Sequence, residues 1–344
     1  MMQYEVTIGI PVYKARGYIA EALLSALSQT YADIEFLLVD DCGDDGAMAV
    51  VDDLMHRHPR GAQIRLLHND RNLGVGPSRN RIIDEARGRY LYFMDADDTI
   101  APDTIRLLVE AMHRHHADVA YASYEKIDHL YHTAPEVYQY PPAVFSSVDE
   151  FAAFVFSQYN RFQVSACNCL MDISFLRRNK LRFIDAMFWE DMAFTYDMAT
   201  KAVCVVLLPD VTYHYQCHAD SLSHYQDREV IYREEILKNA STIDYLKWRS
   251  YKLRHKYYIS DFSYVLQMNS FYIVCHVMKY RNRISPSISN RELQHMMKHP
   301  APLSSILRFR HKRLSNLFLW LLSRLPLPLF MATVYLLGKM KKVI

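Results

Sequence analysis

The stretch YLYFMDADD, residues 90–98, runs an apolar, aromatic-rich segment directly into three carboxylates, Asp95, Asp97 and Asp98. A buried strand that ends in this way delivers oxygen ligands to the carboxyl edge of a sheet, where open α/β folds bind their ligands. The pattern therefore predicts a site for a divalent cation and a phosphate group. The alternative is a simple turn, because Asp accepts local backbone hydrogen bonds and can cap the helix that Pro102 helps to start.

Other apolar runs of strand length alternate with helical patterns along the N-terminal part of the chain. The predicted strands are residues 6–12, 34–41, 64–70 and 90–98, with helices between them that include 19–27 and 47–58. Strands and helices that alternate at short spacing predict a parallel sheet wrapped by helices on both faces, a nucleotide-binding type of architecture. A further strand is expected near 118–127, an irregular loop over 131–144, and almost entirely helical structure beyond residue 228.

Composition narrows the class of protein. With 344 residues, the chain is long enough for two domains or for one large α/β domain with a helical addition. A formal net charge of +2 gives no general case for nucleic-acid binding. The six cysteines lack paired C-x-x-C spacing and no basic leader precedes an apolar stretch, so we expect reduced, mostly buried thiols, a cytosolic setting and no structural zinc. The histidine runs at 56–58 and 113–116 suit helix C-termini better than a second metal site.

Three segments, in their order and spacing, resemble family 2 glycosyltransferases with the GT-A fold. They are IPVYKARGYIAEALLSALSQTYADIEFLLVDD (10–41), NLGVGPSRNRIIDEARGRYLYFMDADD (72–98) and FWEDMAF (188–194). The resemblance, strongest over the first 130 residues, implies an α/β GT-A fold with a mostly parallel nucleotide-binding sheet flanked by helices and a helical C-terminal extension.

The resemblance also implies a domain organisation. The GT-A catalytic domain would occupy residues 1–227, with a nucleotide-sugar half over 1–130 and an acceptor half over 131–227. A helical extension would follow over 228–302, and a basic amphipathic tail over 303–344.

The donor nucleotide would bind at the ends of the first two strands. Pro11, Val12 and Tyr13 end the first strand with apolar and aromatic surface on which a flat base can lie. Asp40 or Asp41 can accept a hydrogen bond from the base, as the equivalent acidic pair of the family does. A helix-capping turn is the structural alternative for these two residues.

Arg79 and Asn80 follow a glycine-containing loop at the start of a predicted helix. Such a position is suited to contacts with the base or the diphosphate. The alternative is an exposed Arg and Asn on a solvated helix turn.

The DADD element at 95–98 corresponds to the Asp-x-Asp motif of the family. By resemblance, Asp95 would face the ribose beside Ala96, Asp97 would hold Mn²⁺ or Mg²⁺ between the two phosphates, and Asp98 would support the metal site. A cation is needed there because the leaving group is a negatively charged nucleoside diphosphate.

The pair Glu190 and Asp191 matches the Glu-Asp pair that the family places at a helix start facing the acceptor. One-step inverting transfer needs a base that takes the proton of the attacking hydroxyl, and Asp191 is assigned this role with Glu190 as its neighbour. Trp189 would offer a stacking surface for the acceptor sugar. The structural alternative is a helix N-terminus with favourable acidic residues.

The segment TYHYQCHADSLSH (212–224) resembles the end of the family's catalytic domain. His218 occupies a basic position of the family pattern, and it or the nearby His214 could hold the diphosphate or complete the metal shell. Gln216 stands where many relatives carry Arg. The alternative for His218 is a hydrogen-bonded structural histidine.

Taken together, the resemblance implies a metal-dependent, inverting transferase that moves a sugar from a nucleotide diphosphate donor, a UDP-sugar by family habit, to a hydroxyl of a glycan or lipid-linked oligosaccharide in cell-surface polysaccharide synthesis. Two alternatives are a nucleotidyltransferase and a catalytically degenerate sugar-nucleotide-binding or membrane scaffold protein. A nucleotidyltransferase would be expected to carry a glycine-rich, basic loop after the first strand. Intact Asp97 and Asp191 argue against the degenerate binding or scaffold protein.

The last segment, 303–344, joins a basic run, RFRHKR, to an apolar stretch that is interrupted by Arg324, Pro326 and Pro328. A clean spanning helix of about 20 residues is thereby disfavoured, and an interfacial helix or hairpin is predicted. Flanking basic clusters suit the anionic inner face of the cytoplasmic membrane, where we expect peripheral attachment. The alternative is a helix packed on the catalytic domain or on another subunit.

Overall fold

The computed structural model describes residues 4–129, 133–158, 162–186, 189–218 and 228–344. Contacts divide the chain into two units. The first comprises Met1–Phe151, Gln163–Asp185 and Glu190–Ser221, and the second comprises Ala152–Phe162, Ala186–Trp189 and Leu222–Ile344.

A ten-stranded mixed sheet forms the centre of the first unit. Its strands are β1 (Tyr4–Val12), β2 (Ile34–Asp40), β3 (Ile64–His68), β4 (Gly88–Phe93), β5 (Thr99–Ile100), β6 (Val119–Asp128), β7 (Glu136–Tyr138), β8 (Ala143–Phe145), β9 (Cys169–Asp172) and β10 (Val205–Cys217). The main path runs in the order β3-β2-β1-β4-β9-β6-β10-β5, with β7 paired to β6 and β8 paired to β10.

The first four long strands form the parallel half of the sheet, as the alternating pattern predicted. β1 pairs in parallel with both β2 and β4, and β2 pairs in parallel with β3. Their apolar runs are almost fully buried because helices cover both faces. The order 3-2-1-4 places the topological switch point between β1 and β4, and this opens a crevice at their carboxyl ends.

Beyond β4 the sheet becomes mixed. β9 is inserted antiparallel to both β4 and β6, whereas β10 runs parallel to β6. The expectation of an irregular loop over 131–144 is wrong in part, because β7 lies within that stretch and β8 begins there. Both are three-residue strands that are stabilised by pairing with longer neighbours. Such pairing is a tertiary effect, and a short run of residues does not predict it.

Helices up to residue 199 follow the predicted pattern closely. They are α1 (Ile19–Leu27), α2 (Ala47–Arg57), α3 (Val75–Glu85), α4 (Thr104–His115), α5 (Val148–Ser157), α6 (Ile173–Arg178) and α7 (Glu190–Ala199). The helix over 19–27 has the predicted bounds, and both histidine runs fall at the C-terminal ends of helices. Of the six free cysteines, four are buried and Cys42 is exposed.

The second unit is helical after residue 228, as the sequence predicted. Its elements are β11 (Ile231–Tyr232), α8 (Arg233–Lys252), α9 (Ile259–Lys279), β12 (Ile284–Ser285), α10 (Asn290–Met296), α11 (Leu303–Arg308), α12 (Arg313–Leu322) and α13 (Leu327–Met340). The central helix α9 contacts α8, α10, α12 and α13. Among the described residues, none of the helices combines the length and apolar character that crossing a membrane requires.

Candidate active site

Arg79, in the second turn of α3, lies among three carboxylates from distant parts of the chain. Its Nη1 donates to Glu190 Oε1 at 3.0 Å and to Asp191, and its Nη2 donates to Asp95 Oδ1 at 2.7 Å. The side chain is only 3% exposed. Burial alone would lower the pKa of Arg79, but the surrounding carboxylates raise that pKa well above its ordinary value. A permanently charged guanidinium therefore joins the end of β4 to the start of α7.

Phe183 fixes the position of Arg79. The guanidinium carbon lies 5.4 Å from the centroid of the Phe183 ring, which stacks on Phe194 with a centroid separation of 4.1 Å. Asn80 donates to the Phe183 carbonyl and accepts from its N–H, both at 2.9 Å. The Asn80 amide is therefore engaged by backbone in this structure, which favours a positioning role over the donor contact expected from the sequence.

Glycine at position 76 allows α3 to approach this region closely. A Cβ atom there would come within 2.9 Å of the Ile184 carbonyl oxygen. The close approach brings the face of α3 that carries Arg79 against the segment before α7.

Glu190 and Asp191 begin α7, directly after Trp189, whose φ is 64°. Burial raises the pKa of Asp191 to about 7, with the charges of Glu190 and Asp95 acting in the same direction and Arg79 opposing them. Burial also raises the pKa of Glu190. A carboxylate whose pKa lies near neutrality suits an acid–base role, since it can both take and release a proton at working pH.

Tyr213 on β10 organises the DADD segment. Its hydroxyl donates to Asp98 Oδ2 at 2.5 Å and accepts from the Asp95 N–H at 3.3 Å, while the Gln216 N–H donates to Asp98 Oδ1 at 2.8 Å. Asp98 is 1% exposed, and both of its oxygens are occupied. This arrangement favours an anchoring role for Asp98 over direct metal ligation.

Asp95 and Asp97 are the carboxylates of this segment that keep accessible surface, with buried Ala96 between them. Burial and then the charge of Asp95 raise the pKa of Asp97 to about 6. Across the described ranges, the side chains do not form a ready-made cluster of three or more metal-ligating residues. Two hard oxygen donors that repel one another nevertheless fit a divalent cation whose remaining ligands come from phosphate and water.

Asp41, after β2, holds the loop that leads into α3. Its carboxylate accepts from Asn69 Nδ2 at 2.7 Å, from the Leu73 N–H at 2.9 Å and from the Gly74 N–H at 2.8 Å. Asp41 is 3% exposed. Its hydrogen bonds shape the loop on one side of the crevice.

The other residues predicted to contact the base lie at the ends of β1 and β2. Asp40 accepts from backbone N–H groups of the turn after β2, and its Oδ2 lies 3.0 Å from Nδ1 of His68. Pro11 and Val12 are buried in β1, whereas Tyr13 is 45% exposed. Of these residues, Tyr13 presents the largest free surface to a ligand.

The two histidines of the 212–224 segment differ in environment, and residues 219–224 of that segment lie outside the described residues. Nδ1 of His214 lies 2.6 Å from Oε1 of Glu125 on the neighbouring strand. The His218 ring stacks on Tyr18, with centroids 4.1 Å apart, and on His129 at 5.2 Å. His214 therefore pairs with a neighbouring strand of the sheet. His218 instead stacks between two rings, one of which is Tyr18, the residue before α1.

Sequence reasoning missed Tyr213 and Phe183, which hold the two acidic segments in place. Tyr213 lies in the 212–224 segment that the sequence analysis selected, but the sequence does not show that its hydroxyl meets Asp98. The link from Arg79 to Asp191 spans more than a hundred residues of chain and leaves no local pattern.

Acidic side chains at the switch point of the parallel half of an α/β sheet are typical of nucleotide-binding α/β proteins. Within that class, residues 7–180 match the model of glycosyl transferase family 2, and the chain belongs to this family.

Two of the relatives carry names from polysaccharide synthesis. The succinoglycan biosynthesis protein ExoO of Rhizobium meliloti is 39% identical over 106 residues, which cover 31% of this chain and 29% of that protein. The putative teichuronic acid biosynthesis glycosyltransferase TuaG of Bacillus subtilis is 28% identical over 151 residues, which cover 42% of this chain and 58% of that protein. The matches thus leave a large part of each relative unaligned.

Among solved structures, S. aureus TarS 1-349 superposes with a TM-score of 0.65 at 16% identity, covering 93% of this chain and 90% of that one. The same TarS segment in complex with UDP-GlcNAc also gives a TM-score of 0.65, at 15% identity. The similarity confirms the predicted GT-A fold.

Proposed function

We propose that the protein is a metal-dependent, inverting glycosyltransferase that moves one sugar from a UDP-sugar to a hydroxyl of a glycan or lipid-linked oligosaccharide in cell-surface polysaccharide synthesis. The observation that carries this proposal is the Arg79 bridge, which brings the donor-side carboxylate Asp95 and the candidate base Asp191 onto one guanidinium. Membership of family 2 and the named relatives in polysaccharide synthesis support it. The TarS complex with UDP-GlcNAc supports a UDP-linked donor.

On the donor side, Asp95 and Asp97 are the residues that would hold Mn²⁺ or Mg²⁺. When bound, the cation would neutralise the charge that develops on the departing nucleoside diphosphate. Asp98, through Tyr213, keeps the segment in place. Tyr13 would lie against the base, and His218 would contribute to binding of the diphosphate.

On the acceptor side, Asp191 would take the proton of the attacking hydroxyl as its oxygen bonds to the anomeric carbon opposite the diphosphate, with inversion at that carbon. Glu190 and Arg79 would hold the Asp191 carboxylate in position through the shared guanidinium. Trp189 would stack on the acceptor sugar.

The tail would lie on the inner face of the cytoplasmic membrane. α12 and α13 pack on α9 of the helical extension with one side. Their other side exposes large apolar residues, Leu314, Phe318, Leu321, Leu329, Leu336 and Met340. Basic residues accompany this apolar surface, an arrangement typical of interfacial helices.

Nucleotide release from a panel of UDP-, GDP- and dTDP-sugars with Mn²⁺ tests the proposal. Wild type is compared with Asp97→Ala, Asp191→Asn and the control Asp185→Asn, which changes an exposed Asp of the same unit. We expect release from one donor, lost in the first two variants and kept in the control.

The outcomes separate the alternatives. Donor binding without release in wild type would indicate a degenerate sugar-nucleotide-binding protein, and a product that retains the donor's anomeric configuration would exclude the inverting step. A transferred nucleotidyl group in place of a transferred sugar would indicate a nucleotidyltransferase.

A further inference from the structure

The second unit contains a basic cavity of about 320 Å³ that lies within its C-terminal helices. Its lining residues are Arg291, Gln294, His295, Lys298, Ser323 and Arg324. The first three lie at i, i+3 and i+4 on α10 and share one face of that helix, while the last two belong to the turn between α12 and α13. The cavity volume falls at the lower end of the range for small-molecule sites.

Side-chain contacts hold the cavity walls together. Nε2 of Gln294 donates to the Leu325 carbonyl at 2.7 Å and to the Ser323 carbonyl at 3.4 Å. These hydrogen bonds join α10 to the turn. The Arg324 guanidinium carbon lies 3.6 Å from the Trp320 ring centroid, and its Nη1 donates to the Trp320 carbonyl at 3.1 Å. Arg324 is thus positioned by the ring and the carbonyl oxygen of Trp320.

The cavity concentrates positive charge that the protein does not neutralise. Within the described ranges, no carboxylate lies within 4.0 Å of Arg291, His295, Lys298 or Arg324. The neighbouring acid, Glu292, is engaged elsewhere, since it caps α10 and binds Arg233 at 2.5 Å. The cations of the cavity are therefore available to an anionic ligand.

We propose that this cavity binds a phosphate or diphosphate group. Arginine forks match phosphate oxygens and a lysine adds a compact charge, while the Gln294 amide and the Ser323 hydroxyl hold the cavity wall by donating to carbonyl oxygens. The exposed apolar residues Leu321 and Leu329 flank the turn and suit the chains of a lipid that carries this group. Lipid headgroups and free phosphates share the recognised chemistry, and the site does not depend on the proposed sugar transfer.

The test uses the full chain and two probes. Inorganic pyrophosphate is titrated by calorimetry without divalent cations, and vesicles of phosphatidylcholine are compared with vesicles that also contain phosphatidylglycerol in a sedimentation assay. The double variant Arg291→Glu/Lys298→Glu is compared with Arg114→Glu/Lys238→Glu. All four side chains are exposed, and both double variants change the net charge equally.

We expect the cavity variant to bind at least one probe about tenfold more weakly than wild type, with the control within about twofold. Lys298→Gln, which only removes a charge, should give a smaller loss of the same kind. UDP binding with Mn²⁺ should match wild type in every variant, which reports on folding and on the donor site separately.

A loss in calorimetry identifies free phosphate as a sufficient ligand, and a loss confined to phosphatidylglycerol vesicles identifies a lipid headgroup. Both support the site. Equal affinity of the cavity and control variants for the probes, or no binding of either probe to wild type, would overturn the proposed phosphate site.

Discussion

Arg79 donates from Nη1 to the carboxylate of Asp191, which lies in the first turn of α7, more than a hundred positions further along the chain. The same guanidinium binds Asp95 through Nη2 at 2.7 Å. A single buried cation thus stabilises the ionised forms of carboxylates on both sides of the proposed reaction.

Replacing Arg79 with Gln should lower the free energy of unfolding by about 3 kcal/mol or more, because it leaves buried carboxylates without their cation. The measurement is urea denaturation of the variant against wild type. Arg71→Gln, at an exposed position before α3, is the control and should stay near wild type. A loss smaller than about 1 kcal/mol would show that the carboxylates find other compensation.

Turnover should depend on pH through Asp191. Burial raises the pKa of Asp191 to about 7, and a base works only when ionised, so kcat/KM should rise with pH through about 7 and then level off. In Arg79→Lys the rise should move to higher pH, because an ammonium stabilises the shared carboxylates less well than the guanidinium fork. Initial rates of nucleotide release at saturating Mn²⁺ measure both profiles, and a rate independent of pH across neutrality would exclude Asp191 as the base.

Removal of the Asp41 carboxylate should destabilise the loop before α3. Asp41→Ala removes three hydrogen bonds from this loop, because Asn69 and Gly74 keep only their bonds to Ser78 and Asn72 while the Leu73 N–H loses its Asp41 acceptor, and we expect a loss of about 2 kcal/mol in the free energy of unfolding. Asp44→Ala is the matched control, since that carboxylate is 88% exposed and lies 3.8 Å from Lys14. The control should change stability by less than about 0.5 kcal/mol. Equal effects of the two substitutions would contradict the loop-holding role.

Acid should destabilise the second unit through His299. Its Nδ1 accepts from the Ala301 N–H at 3.1 Å, and its Nε2 lies 3.1 Å from Asn316 Oδ1. Burial lowers the pKa of His299 from 6.5 to about 4. The unfolded chain therefore takes up the proton first, and as pH falls from 6.5 towards 4 this residue costs up to about 3 kcal/mol of stability, while above 6.5 its contribution is constant.

Tryptophan fluorescence follows this effect, because all three tryptophans belong to the second unit. In denaturant titrations at several pH values, His299→Gln should show a weaker acid loss than wild type. The exposed control His255→Gln should keep the full loss. An unchanged pH dependence in His299→Gln would assign the acid sensitivity to other groups.

The parallel half of the first unit could be predicted from local patterns in the chain. Apolar runs such as 34–40 are long, and turn residues separate them clearly, so their strand character follows from local periodicity. The helix over 19–27 was predicted with its observed bounds for the same reason. The order of the acidic motifs, combined with family resemblance, was enough to identify the family and to select candidate site residues.

Tertiary structure decided the rest, because it depends on contacts between segments that are distant in the chain. β9 lies between β4 and β6 because it pairs with both strands. A strand of four residues is too short for its hydrophobic pattern to predict this position. Asp98 looked like a metal ligand in the sequence, yet a tyrosine from β10 occupies one of its oxygens. The contact of Arg79 with Asp191 arises only when α3 and α7 meet, since local periodicity records which face of an element is buried but not which element covers it.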